Sequence, residues 1–303
     1  MYKRQLQNNP TAPQFDKNVA TFPQQFLPPL NNRLGLWINP VISSLNHQLI
    51  DWLPLANYAQ IVEFAPEIIL ICPNGSLGLL MGHKVTQYFD LPFLIYLMDD
   101  WGGVSHTRWF TGNIQLVIQL LLEQASGWLI ISKQLEKNLI ERYKVQPERS
   151  LIVHNPVDLS NKPFPDFFLN SGETFRVVYA GAIWPMHYDA VAAVAEAIYE
   201  LRHRGVNIEL VLHTAQGFWN FYQKNWEKWE VIYGSLIPYN ELNQYLQKAN
   251  LLLVASSFLQ ENFCFTSSSV QTKLTDYMAS GRPLLACGPS YAACNIFVKT
   301  WNC

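Results

Sequence analysis

Short apolar runs and amphipathic segments alternate along most of the chain. Runs such as LPFLIYLM (91–98) and LLLVASS (251–257) have the length and composition of strands that are buried on both faces. Segments such as KQLEKNLIERYK (133–144) repeat apolar residues at helical spacing. Strands separated by helices of this length favour crossover connections and a parallel sheet. The pattern therefore predicts an α/β protein.

The alternation is interrupted once, by a stretch rich in Pro, Asn and Ser. We place a linker there, at residues 159–173, between a first domain at 34–158 and a second domain at 174–303. Residues 1–33 are rich in Asn, Gln and Pro, and we interpret them as an irregular lead-in. Two halves of one architecture predict two doubly wound parallel sheets that face a cleft. Ligands of such sheets bind beyond the carboxyl ends of the strands.

Composition narrows the class of protein. The chain has 303 residues, is 49% hydrophobic and carries a formal net charge of -2 without a basic run, which disfavours a nucleic-acid partner. Its five cysteines are scattered and form no CxxC pair, so neither a metal site nor a disulfide framework is predicted. No apolar run reaches the roughly 18 residues of a membrane-spanning helix, and the N-terminus lacks the pattern of a signal peptide. We expect a cytoplasmic protein.

The segment TSSSVQTKLTDYMASGRPLLACGP (266–289) has the pattern of a helix followed by a strand. The hydroxyls of Thr266–Ser269 are typical of a helix start. Gly281 and Pro283 are typical of its end. The run Leu284–Cys287 then predicts a strand buried on both faces. The segment is therefore interpreted as one αβ unit of a parallel sheet.

Groups that bind a phosphate ester cluster in the predicted loops of the second half. Gly181 ends a strand and allows the backbone to approach a ligand closely. Ser268 and Ser269 would begin a helix, whose N-terminus attracts anions, and Lys273 would lie one turn inside it. Asp276, one turn further, can accept hydrogen bonds from a diol such as ribose. Alternatively, the serines are only caps, and Lys273 and Asp276 form a solvated ion pair.

Carboxylate and imidazole groups follow predicted strands in both halves. Asp99 and Asp100 come directly after a buried strand; adjacent side chains point to opposite sides, so at most one of them faces the cleft. His106 is a candidate proton donor or hydroxyl ligand, and His187, in the loop after Gly181, is another. The alternative for all four is a solvated or capping side chain. Their spacing does not support a metal site.

Several segments, in this order, resemble the family 4 nucleotide-sugar glycosyltransferases, which have the GT-B fold. TKLTDYMASGRPLLACGP (272–289) resembles their pattern of a lysine, a carboxylate, Tyr-Met-Ala, Gly-x-Pro and an apolar strand. FRVVYAGAIW (175–184) resembles the glycine loop that opens their donor domain. Three further segments are similar to theirs in the expected positions: SGWLIISKQLEKNLIERY, VHNPVDLS and VIYGSLIPYNELNQYLQKANLLLVASS. The resemblance extends from about residue 60 to the end.

The resemblance implies two Rossmann-like domains and transfer of a sugar from a nucleotide-diphosphate donor. It implies retention of configuration, no obligatory metal and no other cofactor. The implied acceptor is a glycan or a lipid-linked saccharide in surface-polysaccharide biosynthesis, with peripheral association at the inner face of the cell membrane.

The resemblance also implies roles for individual residues. Asp276 occupies the place of the carboxylate that binds the donor ribose, whereas Ser268 stands where the family has its first carboxylate. The family's basic residue after the glycine loop is missing from AIWPMHYD (182–189), so Lys273 is the substitute candidate. The family's opening strand has no match before residue 60, and its last helices have none before Cys303, which implies a chain shortened at both ends.

These assignments predict a mechanism and leave two alternatives. Gly181, the helix start at Ser268–Ser269 and Lys273 would stabilise the leaving diphosphate. Asp99 or Asp100, together with His106, would orient the acceptor hydroxyl and take its proton. The alternatives are a nucleotide-sugar epimerase, which needs no acceptor, and a degenerate GT-B module that binds a partner or a glycan without catalysis.

Overall fold

The computed structural model describes residues 58–73, 76–100, 112–157 and 174–301. They belong to two compact units, of which the first ends at Val153 and the second continues from His154. The predicted lead-in at 1–33 and the linker at 159–173 lie outside the described residues, so the predicted domain bounds stay predictions.

The first unit contains a four-stranded parallel sheet with the order β1-β2-β3-β4. β2 lies within the apolar run 91–98 as predicted, but only alternate residues are fully buried and the residues of its other face are half-buried. The Ser132 hydroxyl accepts a hydrogen bond from the Leu135 N–H and so caps α4. The elements are α1 Tyr58–Phe64, β1 Ile69–Ile71, α2 Ser76–Phe89, β2 Phe93–Leu97, α3 Gly112–Gln124, β3 Gly127–Ile130, α4 Lys133–Tyr143 and β4 Ser150–Ile152.

The second unit contains a five-stranded parallel sheet with the order β7-β6-β5-β8-β9. Its elements are β5 Phe175–Ala180, α5 Pro185–His203, β6 Ile208–His213, α6 Gln216–Lys228, β7 Ile232–Tyr233, α7 Tyr239–Leu246, β8 Leu251–Ala255, a 3-10 turn at Gln260–Asn262, α8 Phe263–Thr266, α9 Lys273–Ala279, β9 Leu284–Cys287 and α10 Ala293–Trp301. The chain builds outward from β5 to β7 and then returns to add β8 and β9 on the other side. The strand order therefore reverses between β5 and β8, which is where ligands bind in open α/β sheets.

The core of the second unit lies between its central strands and α5. Tyr179 of β5, Leu212 of β6 and Leu253 of β8 are all fully buried there. They pack with Ala190 and Val194 of α5, two small or β-branched residues that allow the helix to approach the sheet closely. The carboxyl end of β5 is thus held on a rigid base.

The segment 266–289 differs from its prediction at both ends. The hydroxyl cluster does not begin a helix: α8 ends at Thr266, and α9 begins only at Lys273. The physical reason is that Ser268 donates its hydroxyl hydrogen to the Cys264 carbonyl, four residues earlier, at 2.7 Å, so it completes the preceding turn. β9 is not buried on both faces, since it ends the described strand order and leaves Leu285 36% exposed.

The helix after Gly181 begins earlier than predicted. Pro185 occupies its first turn, where a missing N–H costs nothing, and α5 therefore includes His187. His187 is a buried helical residue and not part of a loop. No helix in the described ranges is both long and apolar enough to span a membrane.

We predict that Leu212→Ala destabilises the protein by about 2–5 kcal/mol, because it leaves a cavity beneath the central strands. The control is Leu236→Ala, at a position that is 53% exposed and where the change should be within about 0.5 kcal/mol. Urea unfolding of both variants measures the free energy of unfolding. Equal effects at the two positions would contradict this account of the core.

Candidate functional site

The candidate site lies where β5 ends, beside the reversal in strand order. Gly181 follows β5 with a φ of 141°, a conformation that L side chains rarely adopt. Its N–H donates to the His213 carbonyl at 2.8 Å, which ties the carboxyl ends of β5 and β6 together. The glycine therefore forms a fixed turn at the edge of the sheet.

Lys273 lies directly against this glycine. A Cβ built on Gly181 would stand 3.2 Å from both Cε and Nζ of Lys273, tighter than ordinary van der Waals contact. The lysine comes from α9, in the crossover between β8 and β9. The structure thus brings together two of the residues that the sequence assigned to phosphate binding, from positions 92 apart in the chain (273 − 181).

The Lys273 ammonium has an unusual set of neighbours. Nζ donates a hydrogen bond to the Tyr179 hydroxyl and lies 3.9 Å from the centre of the Tyr179 ring. None of the ion pairs found in the described part of the chain includes it, so the solvated pair with Asp276 does not form there. An ammonium has three N–H donors. Two of them therefore lack an acceptor among the residues described.

The lysine is half-buried as a residue, but its ammonium is desolvated, and its electrostatics follow from that desolvation. Desolvation lowers the pKa of Lys273 to about 7, and the nearby Cys294 opposes this shift without cancelling it. Burial also raises the pKa of the Cys294 thiol to about 11, so the thiol stays neutral and supplies no counter-ion. A partly neutral amine of this kind regains its charge when an anion arrives. The arrangement is suited to binding a phosphate or diphosphate group.

Tyr277 fixes α9 against β5, a role for which the sequence suggested no candidate function. Its hydroxyl accepts the Ala180 N–H at 2.7 Å and donates to the Ala180 carbonyl at 3.1 Å. Residues four apart share a face of a helix, so this anchor also directs Lys273 towards the end of β5. No sequence signal distinguishes a tyrosine of this kind from one that only fills the core.

The remaining predicted donor-site residues lie on the same crossover. Asp276 is half-buried on α9, three residues after Lys273, and its contact with a ribose stays a prediction. Ser268 and Ser269 are buried, and Ser268 already donates to a backbone carbonyl. A contact between either serine and a phosphate also stays a prediction.

The predicted acceptor-side residues belong to the first unit. Asp100 is 1% exposed, and one Nη of Arg142 lies 2.8 Å from each of its carboxylate oxygens. A buried carboxylate paired in this way anchors the end of β2 to α4. Asp99, beside it, is half-buried, and His106 lies outside the described residues. Catalytic roles for these three residues stay predictions.

Metal ligation finds no support in the described ranges, where no group of three or more His, Cys, Asp and Glu side chains is placed to hold an ion. The prediction that the protein needs no cofactor stays a prediction.

Comparison with known proteins finds solved structures that share the fold of this chain. No protein-family model and no curated protein sequence matches the chain. Sucrose-phosphate synthase from Thermosynechococcus elongatus matches in structure with a TM-score of 0.60 and 16% identity, over 92% of this chain and 68% of that one. Anabaena HepE, solved with UDP and glucose, matches with a TM-score of 0.56 and 16% identity, over 84% and 73%. The galactosyltransferase WaaB matches with 0.50 and 16%, over 90% and 72%. The predicted α/β fold with Rossmann-like domains, shared with GT-B proteins, is confirmed.

The desolvation of the Lys273 ammonium predicts how stability depends on pH. Its pKa is about 7 in the folded chain and about 10.4 in an unfolded one, so the unfolded state binds more protons between these values. Stability should therefore rise with pH above 7 in the parent relative to Lys273→Met. Urea unfolding of the two proteins from about pH 6.5 to about pH 8.5 measures this difference. Lys224→Met, on the exposed side of α6, is the control. A difference that does not change with pH would refute the assignment.

Proposed function

We propose that this chain is a glycosyltransferase that moves a sugar from a nucleotide-diphosphate donor to a glycan or a lipid-linked saccharide. The observation that carries the proposal is the Lys273 ammonium, which lies on Gly181 at the reversal of strand order without a carboxylate partner among the described residues. The fold shared with sucrose-phosphate synthase, HepE and WaaB supports it, as does the UDP bound in HepE.

In the proposed reaction, the bond between the donor's anomeric carbon and its phosphate oxygen breaks, and the electron pair leaves with the diphosphate. The acceptor hydroxyl oxygen forms the new bond to that carbon. Lys273 and the Gly181 backbone stabilise the charge that develops on the diphosphate. Asp276 holds the ribose. Asp99 or Asp100, with His106, takes the proton that the acceptor hydroxyl loses.

The finer parts of the proposal follow the resemblance to family 4 glycosyltransferases. We propose retention of configuration without a metal or other cofactor, and a role in surface-polysaccharide biosynthesis at the inner face of the cell membrane. Neutral residues fill the glycine loop at 182–186, so Lys273 supplies the positive charge that the family places there.

A non-catalytic binding module is the second candidate, and two observations favour it. The carboxylate of Asp100 is engaged by Arg142 in an ion pair and is 1% exposed, an arrangement that competes with a role as a base towards an acceptor. Ser268, at the place of the family's first carboxylate, is buried and bonded to Cys264. Turnover of the donor distinguishes the enzyme from the module, and formation of an isomer from donor alone would indicate an epimerase.

Nucleotide binding is the first prediction of this proposal. One of UDP, GDP or ADP, or its sugar, should stabilise the parent, since a ligand at a hundred times its dissociation constant adds about 2.7 kcal/mol. Asp276→Ala should lose this stabilisation if Asp276 holds the ribose, while Glu241→Ala, an exposed carboxylate in the first turn of α7, should retain it. Thermal unfolding with each nucleotide measures the effect. A cooperative transition that no nucleotide moves would remove the donor site from the proposal.

Turnover is the second prediction. Lys273→Ala should lower the rate of nucleotide release from the donor by about 10²–10³-fold, because the leaving diphosphate loses its positive partner. Lys224→Ala, with the same change of charge at an exposed position, should leave the rate unchanged. Release of the nucleotide with a panel of saccharide acceptors gives the rate. A Lys273→Ala protein with the parent's rate would exclude the lysine from the mechanism.

A further inference from the structure

We propose that Tyr179 and His187 are positioning residues of the diphosphate site. They hold the Ala182 carbonyl inside the protein, and Tyr179 also holds the Lys273 ammonium over Gly181. The inference rests on the proposed function, because it concerns the site that the donor diphosphate would occupy. Neither side chain contacts the donor in this arrangement, and each acts through a group that does.

The Ala182 carbonyl oxygen accepts two hydrogen bonds from buried side chains. The Tyr179 hydroxyl donates to it at 2.8 Å, and Nδ1 of His187 lies 3.1 Å away. A carbonyl only accepts, so Nδ1 carries the proton. Burial, aided by the charge of Lys273, holds the pKa of His187 well below its usual range, and the ring stays neutral. Both lone pairs of the Ala182 carbonyl oxygen therefore accept hydrogen bonds from side chains of the same unit.

The direction of the Ala182 carbonyl also fixes the direction of the next backbone N–H, that of Ile183. The Ala182 carbonyl and the Ile183 N–H belong to one planar trans peptide group and point in opposite directions. Fixing the carbonyl therefore turns the Ile183 N–H away from the buried side chains. This N–H donates to no other residue of the described ranges, and it lies just before the 19-residue helix α5. The N-terminus of α5 adds positive partial charge at the same place.

Tyr179 has a second role, since its hydroxyl can accept a hydrogen bond from Lys273 while it donates one to the Ala182 carbonyl. Burial raises the pKa of this phenol well above its usual value, so the hydroxyl stays protonated. Because its hydrogen goes to the Ala182 carbonyl, its lone pairs face the Lys273 Nζ, which donates to them. One hydroxyl thus fixes both the turn after Gly181 and the ammonium above it. An anion would meet a preorganised lysine and backbone N–H.

The test compares two tyrosine-to-phenylalanine variants. Tyr179→Phe keeps the ring but removes the hydroxyl, and we expect it to weaken UDP binding roughly tenfold. The matched control is Tyr188→Phe, since Tyr188 also accepts one side-chain hydrogen bond, from Asn225, and packs on Tyr222. It should change the affinity by less than about twofold. Isothermal titration with UDP gives both affinities.

A pH profile separates positioning from a general loss of stability. Binding should weaken in the parent as pH rises from about 7 to about 8.5, because the free lysine loses its proton there. The Tyr179 oxygen accepts from the ammonium and so favours its charged form, and the loss of UDP affinity with rising pH should therefore begin at a lower pH in Tyr179→Phe than in the parent. The neighbouring phenols, thiol and imidazole have pKa values shifted away from this range. Among the described residues, the titratable groups that interact with the ammonium are Tyr179, His187 and Cys294, while Asp276 and Tyr277 follow Lys273 on α9.

Conservative replacement tests the histidine. His187→Asn retains an N–H donor for the Ala182 carbonyl and should keep most of the UDP affinity, whereas His187→Leu should lose it roughly tenfold. Urea unfolding of each variant confirms that the compared proteins are folded. If UDP binds the parent, and Tyr179→Phe and His187→Leu bind it equally well with the parent's pH profile, the positioning roles are overturned. If neither UDP, GDP nor ADP binds the parent, the proposed function itself is overturned.

Discussion

A desolvated ammonium that has no carboxylate partner among the described residues is the constraint around which the second unit is arranged. Moving a charge out of water is costly, and the usual compensation is an opposite charge. Lys273 has instead a phenolic oxygen, the face of the same ring and a glycine that leaves room for its end. These contacts hold the lysine in place but leave its pKa lowered to about 7. In the proposed function, the donor diphosphate supplies the missing opposite charge, and binding it offsets the cost of desolvating the ammonium.

The fold could be predicted because strands of a parallel sheet are apolar on both faces. The runs at 91–98 and 251–257 have that composition, and each contains an observed strand. Gly181 and Lys273 could be predicted as types of residue that bind phosphate, and the structure places them in contact. Tyr179 could not, because within FRVVYA it reads as one more buried strand residue. Its role depends on a lysine 94 residues away, which no local pattern reports.

The prediction that the hydroxyl cluster Thr266–Ser269 begins a helix is wrong because two local hydrogen-bonding preferences compete there. Serine and threonine hydroxyls cap the helix that follows, or they bond back to the turn that precedes them. Thr266 and Ser268 both take the second option, donating to Asn262 and Cys264. The sequence contains both a following helix and a preceding one, so the choice is made by packing. Asp100 presents the same difficulty, since its pairing with Arg142 spans 42 residues.

The packing of α9 explains how a short helix holds Lys273 in a defined position. Seven residues are too few for a helix to be stable alone, so its position is set by what it docks against. Tyr277 docks it by bonding both backbone groups of Ala180, and Leu274 is fully buried beside it. Lys273 shares the face of Tyr277 and therefore reaches the residue that follows Ala180, which is Gly181. Tyr277 and Lys273 are thus one turn apart on α9, and the residues they contact, Ala180 and Gly181, are adjacent in the chain. A change that loosens Tyr277 is therefore expected to displace the ammonium as well.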